Sequence, residues 1–315
     1  MPPRPSDPPA LPSGSSRLRL WLLLIAVSWG FNWPAVKLAL NEMPIWSMRT
    51  VGLTIGSALM FLLARASGRA WHVARRQWPA LILAALLNMT LFNVLTAVAQ
   101  TLMPTSRAVI LAYTMPLWTA LLARIFLGER LSARQLTALA LGAAGLAAVL
   151  VPLRSQLGTP SFDAAVAAIL GAAIAWAAGT IVVKRVAFTS DPVVTTAWQL
   201  AIGAISVAFG AFAFEGAELA AFSFWPTSVL GWGGLLYNSV IGIALSYFLW
   251  FGMVARLPAA TAAIGVLLVP VVGVTASMAI IGDEPSLTDA MGFLLITTAV
   301  FITTRPDKGA AERAA

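Results

Sequence analysis

The sequence predicts an all-α polytopic membrane protein, with ten transmembrane helices arranged as two inverted five-helix repeats and both termini cytoplasmic. Three observations carry that reading. The 315 residues are 59% hydrophobic and only 10% charged, with a mean hydropathy of +0.86. A soluble domain carries roughly 25% charged residues, so this chain has too little charge to cover a surface facing water. Ten apolar stretches approach or exceed the length a helix needs to cross the hydrocarbon core, about 20 residues for about 30 Å. Local patterns in the first half then return, in order, in the second.

Residues 1–16 are rich in proline and serine and read as a disordered tail. Arg17 and Arg19 precede the first apolar run as they would in a signal peptide, but that run continues to Leu40 without a small-residue cleavage site. The ten stretches fall at 20–40, 46–64, 79–101, 106–127, 133–151, 164–185, 193–214, 227–251, 259–281 and 286–304. Proline, glycine or charge separates them, as in Asn41-Glu42-Met43-Pro44, Met103-Pro104, Asp191-Pro192 and Leu257-Pro258. The first repeat is expected at 17–153 and the second at 161–304, joined by a linker at 154–160 and followed by a cytoplasmic tail at 305–315.

The net charge of +8 lies in short segments between apolar runs, and no basic stripe offers a surface to nucleic acid. Of the 20 basic residues, 16 fall on the side of the termini and three, Arg49, Arg107 and Arg154, on the other, with Lys37 inside the first helix. The positive-inside rule then puts both termini in the cytoplasm, as in a multi-pass protein of the inner (plasma) membrane. There is no cysteine, and the one histidine, His72, sits in a basic loop. Disulfides, thiolate chemistry and a metal site built on Cys or His are thereby excluded. All twelve acidic residues lie outside the span centres, so no carboxylate relay crosses the membrane and no acid–base pair serves an intramembrane enzyme. No phosphate-binding glycine loop is present, and no cofactor, metal or catalytic set is expected.

The repeat is visible residue by residue. Trp29 is followed eight positions later by Lys37, and Trp176 eight later by Lys184. Pro104 and Pro116 are twelve apart, as are Pro258 and Pro270, both pairs shifted by 154. Gly128-Glu129-Arg130-Leu131-Ser132 finds its echo in Gly282-Asp283-Glu284-Pro285-Ser286. Because five is odd, the second half enters the membrane upside down. Inverted halves are a recurrent transporter plan, with the substrate site near the midplane between them. A duplicated scaffold or membrane subunit that transports nothing is the competing reading.

Polar groups inside spans are costly and mark candidate sites. Trp29, Asn32 and Trp33 share one face of the first helix, next to Pro34, which interrupts the backbone bonding and is expected to bend the helix. Lys37 either meets a substrate carboxylate in a wet cavity or snorkels to the outer interface. Asn93, Thr96 and Gln100 line up on one face of the third helix. Tyr113 and Tyr247 lie too deep for an interfacial belt and suit a cavity. Arg49, one turn into the second helix, is a further candidate for a substrate carboxylate. Pro116 and Pro270 interrupt corresponding helices, the best sequence pointer to a transporter binding region. Glu129 either caps the fourth helix together with Arg130 or latches a gate.

The Ser28-Trp29-Gly30-Phe31-Asn32 stretch, Lys37, Arg49, Pro116 and the Gly-Glu-Arg-Leu-Ser segment at 128–132 resemble the EamA family of the drug/metabolite transporter superfamily. The resemblance spans about 20–304, and within the family the chain looks like YddG-type exporters of aromatic and other neutral amino acids. It implies cavity residues at Asn93, Tyr113 and Trp176. The second repeat departs from the pattern, with Ala177, Gly179 and Gln199 where the first has Gly30, Asn32 and Arg49. The expected partners are a small-molecule substrate, most plausibly an amino acid, and the lipid bilayer, with one copy as the working unit. Another metabolite or drug is the alternative cargo.

Overall fold

A computed structural model describes residues 16–129, 131–156, 158–253 and 259–304, and among them it is helical with no strand. The long helices are α1 (Ser16–Leu40), α2 (Ile45–Ala66), α3 (Arg75–Leu102), α4 (Thr105–Phe126) and α5 (Ala133–Leu150) in the first half. The second half holds α6 (Pro160–Val186), α7 (Pro192–Phe214), α8 (Val229–Trp250), α9 (Ala259–Ile281) and α10 (Leu287–Thr304). Eight of them, α1 to α8, are long and apolar enough to cross a membrane, and α9 and α10 contain the shorter apolar stretches Leu268–Ile281 and Leu287–Ile302. Large apolar side chains such as Leu62, Phe209, Phe212 and Leu294 face outward, as a lipid-facing surface requires.

Two boundaries differ from the sequence expectation. The first helix already begins at Ser16, within the stretch read as tail. The expected linker at 154–160 overlaps a 3-10 turn at Val151–Gln156, and α6 starts at Pro160. Proline is favoured at a first helical position because its missing N–H would find no partner there. The tails at 1–15 and 305–315 lie outside the described residues.

The repeat is written into the backbone bonding. Gly128 and Gly282, 154 apart, both take left-handed φ, +69° and +71°, which glycine adopts without steric cost. After each, the next N–H reaches six residues back, Glu129 to the Ala123 carbonyl and Asp283 to the Ser277 carbonyl, both at 3.3 Å. Each helix thus ends on a left-handed glycine cap. A capping box follows each time. The Gln135 amide N–H donates to Ser132 Oγ, and the Ser132 N–H donates to the Gln135 side chain. Ser286 and Asp289 repeat that reciprocal pair at the head of α10.

Helix packing follows the same rhyme. In the first half α1 lies against α8 and α9, and in the second α6 lies against α3 and α4. The pairs α2 with α7 and α5 with α10 join equivalent helices of the two halves. Small residues allow the closest crossings. A Cβ added to Gly145 of α5 would stand 3.0 Å from the Gly292 carbonyl oxygen, and one added to Gly292 of α10 would stand 2.8 Å from that of Gly145.

Both ends of the bundle are tied by polar bonds. One end carries Arg69 and Asp191 as an ion pair at 2.6 Å, Gln77 accepting from Thr189, and the Lys184–Glu129 pair; this is the basic face. The other end is held by carboxylates. Glu215 accepts the Trp46 and Ser47 N–H groups at the start of α2, and Asp283 accepts the Ser106 N–H at the start of α4. Arg107 makes two bonds to Asp289, at 2.8 and 2.9 Å. Glu42 is held by Thr227 and Ser228, which lower its carboxyl to about 2 through the Ser228 hydroxyl and the backbone amides of both residues. Free helix N-termini favour negative charge, and each of the first two carboxylates fills such a position.

Candidate functional site

Helix breaks position the central residues. Pro116 lacks an N–H, and α4 breaks there: an eight-residue segment ends at Ala112 and a new helix starts at Met115. Thr114 sits at the break, its hydroxyl donating to the Leu111 carbonyl at 2.7 Å and accepting from the Trp118 indole. Tyr113 thus sits at a corner. α1 continues as helix through Pro34, and α9 likewise runs through Pro270. α3 and α8 each contain a stretch of wider π-helical turns, Leu86–Leu91 and Tyr237–Leu245. The stretches occupy corresponding places in the two halves, with Asn88 and Asn238 near their starts. Such turns concentrate at functional sites.

Between the halves lies a cavity of about 370 Å³, walled by residues of α1, α2, α3, α4, α6 and α8. That volume is at the small end of ligand pockets, which run from about 300 to 1,000 Å³. Trp29, Asn32, Trp33, Asn93, Tyr113, Trp176 and Tyr247 all line it, so seven of the eight residues singled out as substrate-binding candidates meet in one place. Lys37 is the eighth and does not line the cavity. Its ammonium donates to the Gln100 carbonyl at 2.7 Å, at the end of α3, where a helix C-terminus attracts a cation.

The aromatic groups form walls. The Trp29 ring lies 5.7 Å from Tyr247 and 5.5 Å from Trp250, and the Trp176 ring lies 4.7 Å from Phe92. The Trp29 indole is aimed by its bond to the Gly242 carbonyl at 3.1 Å. Asn32 accepts from the Asn238 amide at 2.9 Å. Gly242 makes room for that pair, since a Cβ there would stand 2.1 Å from Asn32 Oδ1. In the other half the roles are exchanged: Gly179 takes the place of Asn32, and Asn88 fills the space over it. Asn93 turns its amide back to the Met89 carbonyl.

Sequence reasoning ranked Lys37 above Arg49, and the structure puts Arg49 in the cavity wall instead. Arg49 is 3% exposed. Its Nη2 donates to Thr96 Oγ1 at 3.3 Å, and its Nε has no hydrogen-bond partner. Among the described residues that line the cavity there is no Asp or Glu. Gln100 Oε1 and Asn238 Oδ1, also in the wall, are buried acceptors without donors. Thr96 and Gln100 share the α3 face with Asn93, as their spacing indicates. Arg49 was harder to rank because one turn from a helix end usually means the interface; Glu215 buries that helix start by capping it.

Glu129 lies away from the cavity, at the basic face, where its carboxylate pairs with Lys184 while its N–H caps α4; Arg130, its expected partner, lies outside the described residues. Among the described residues no group of three His, Cys, Asp or Glu side chains could hold a metal. The cavity therefore offers binding chemistry: one cation, amide donors and acceptors, and aromatic faces for an apolar body.

The chain belongs to the EamA-like transporter family, whose model matches it twice, at 18–151 and 163–305. It is 27% identical over 302 residues to the uncharacterized transporter YvbV of Bacillus subtilis, covering 95% of each chain. It is 27% identical over 287 residues to a protein of Salmonella typhimurium named a probable amino-acid metabolite efflux pump, covering 89% of this chain and 92% of that one. A solved crystal structure superposes with a TM-score of 0.64 at 21% identity, over 95% of this chain and 98% of the other, which speaks for the fold.

Proposed function

We propose that this protein is an inner-membrane exporter of aromatic and other neutral amino acids, a YddG-type member of its family. It would work by alternating access through the central cavity. The observation that carries the reading is the cavity itself: it lies between the two halves, draws residues from both, and joins aromatic walls to unpaired amides and one buried guanidinium. A small zwitterion with an apolar side chain matches that set. In this reading α9 and α10 also cross the bilayer, giving ten spans in two inverted repeats at 17–153 and 161–304. The basic face and both termini then lie in the cytoplasm, as the positive-inside rule requires. The name of the Salmonella relative supports an amino-acid cargo.

Counterflow in liposomes is the test. Purified protein is reconstituted into vesicles loaded with unlabelled amino acid, and entry of labelled phenylalanine, tryptophan, leucine and alanine is followed. Flux of the aromatic and larger neutral amino acids is expected. Absence of flux for every amino acid sinks the cargo assignment.

A further inference from the structure

We propose that Arg49 is the carboxylate-recognising residue of the cavity, with the substrate's ammonium group facing Gln100 Oε1 and Asn238 Oδ1. The inference rests on the cavity being the transport site. A buried cation without a counter-ion is costly. Arg49 has a single long bond to a neutral hydroxyl, an unpartnered Nε, and no carboxylate among the residues around the cavity. A guanidinium presents its donors as a planar fork matched to a carboxylate. The two buried acceptor oxygens have the opposite need, and an ammonium supplies three donors. Unmet donors and acceptors on three helices around the cavity thus match a ligand carrying both charges. The second half has Gln199 at the position of Arg49, so the cavity has one anion end and the substrate one orientation.

The experiment compares acids with their amides. Tryptophans in the cavity wall report binding by fluorescence, so purified protein is titrated with phenylalanine, phenylalanine amide, hydrocinnamate and hydrocinnamide. Phenylalanine is expected to bind at least tenfold more tightly than its amide, and hydrocinnamate more tightly than hydrocinnamide. In Arg49→Gln both preferences vanish, while Arg49→Lys keeps part of them. Equal binding of acid and amide by the parent protein overturns the proposal, as does an Arg49→Gln variant that folds normally and keeps the preference. If hydrocinnamate discriminates but no amino acid is carried in counterflow, the cargo reading fails and the role of Arg49 stands.

Equivalent charges are bonded differently at the two ends of the bundle. Lys37 and Lys184 are repeat equivalents, and Glu129 and Asp283 follow equivalent glycine caps. At the basic face Lys184 and Glu129 bond to each other, which ties α6 to the end of α4, its neighbour in the packing. At the opposite face Lys37 and Asp283 stay apart. Each reaches across to the α3–α4 turn, Lys37 to the Gln100 carbonyl and Asp283 to the Ser106 N–H. We infer that this is one of two exchange-related states. In the other, Lys37 pairs with Asp283, the α3–α4 turn is released, and Lys184 and Glu129 part.

The chain has no cysteine, so engineered thiols meet no background. Lys37→Cys with Asp283→Cys, and Glu129→Cys with Lys184→Cys, are each joined by a short bifunctional methanethiosulfonate. A Thr96→Cys probe, masked before linking and unmasked after it, is then labelled from the face carrying Asp283. Joining the first pair is expected to raise labelling several-fold and joining the second to lower it, with reduction reversing both. Equal labelling in the two linked proteins overturns the inference, and so does failure of the first pair to link where the second does.

Discussion

Asp289→Asn isolates the value of an enclosed ion pair between α4 and α10. Asp289 is 2% exposed and its carboxylate accepts two bonds from Arg107, at 2.8 and 2.9 Å, and two from Ser286, at 2.8 and 3.0 Å. Asparagine has one acceptor oxygen and would turn an NH₂ toward a cation. Breaking a buried pair from one side costs about 3–5 kcal/mol. The Arg107 side chain is 17% exposed, so water reaches part of the stranded charge and the expected loss is about 2–3 kcal/mol. Reversible unfolding in mixed micelles measures it, beside Arg107→Leu and the double variant Arg107→Leu with Asp289→Leu. Leaving no uncompensated charge, the double variant should lose less than the two single changes together, with a coupling of about 1–3 kcal/mol. A loss below about 0.5 kcal/mol for Asp289→Asn would show that the pair is a surface contact, and the account of the α4–α10 joint would fail.

Gly234→Ala should destabilise by about 1–3 kcal/mol, because the new Cβ would stand 2.3 Å from the Ala35 carbonyl oxygen and 3.0 Å from the Ala39 nitrogen, both backbone. Gly233→Ala meets nothing within 4 Å and should unfold like the parent. Glu42 is held at about 2, below the ordinary 4.5, so its stabilisation is complete above pH 4.5 and is lost as pH falls toward 2. Melting curves of Glu42→Gln should therefore trail the parent by a constant margin from pH 8 to 5, and that margin should close below pH 4.5. Trp176→Ala, Tyr113→Ala and Asn93→Ala should each lower counterflow at least several-fold at unchanged expression and monodispersity; full activity in all three would remove the cavity from the transport path.

Much of the bundle was legible because the bilayer simplifies the code. Helix positions follow from apolar length, and the Gly128 and Gly282 caps follow from a short motif whose backbone demands are the same in both halves. The Asn93, Thr96 and Gln100 stripe was legible for the same reason, since bare amides do not face lipid. Lys37 and Arg49 could not be ranked from spacing, because their surroundings are set by distant residues: the Gln100 carbonyl for one, the Glu215 cap over its helix for the other. The π turns leave no trace in hydropathy, as one extra residue in a turn changes bonding and not composition. Pro34 and Pro116 looked alike, yet the helix is interrupted only at Pro116, where Thr114 bonds the Leu111 carbonyl ahead of the break.

The Arg107–Asp289 pair has a wider consequence. Its repeat-related positions hold Thr261 and Gln135, residue types that cannot form an ion pair, so the duplicated halves differ in charge at this joint. An ideal two-fold machine would rest equally in either orientation. At this joint an ion pair clamps one half and has no charged counterpart at the repeat-related positions, so in the proposed alternating-access cycle the two strokes are unequal in cost. Directionality can thus be biased by a joint far from the cargo, one that never touches what is carried.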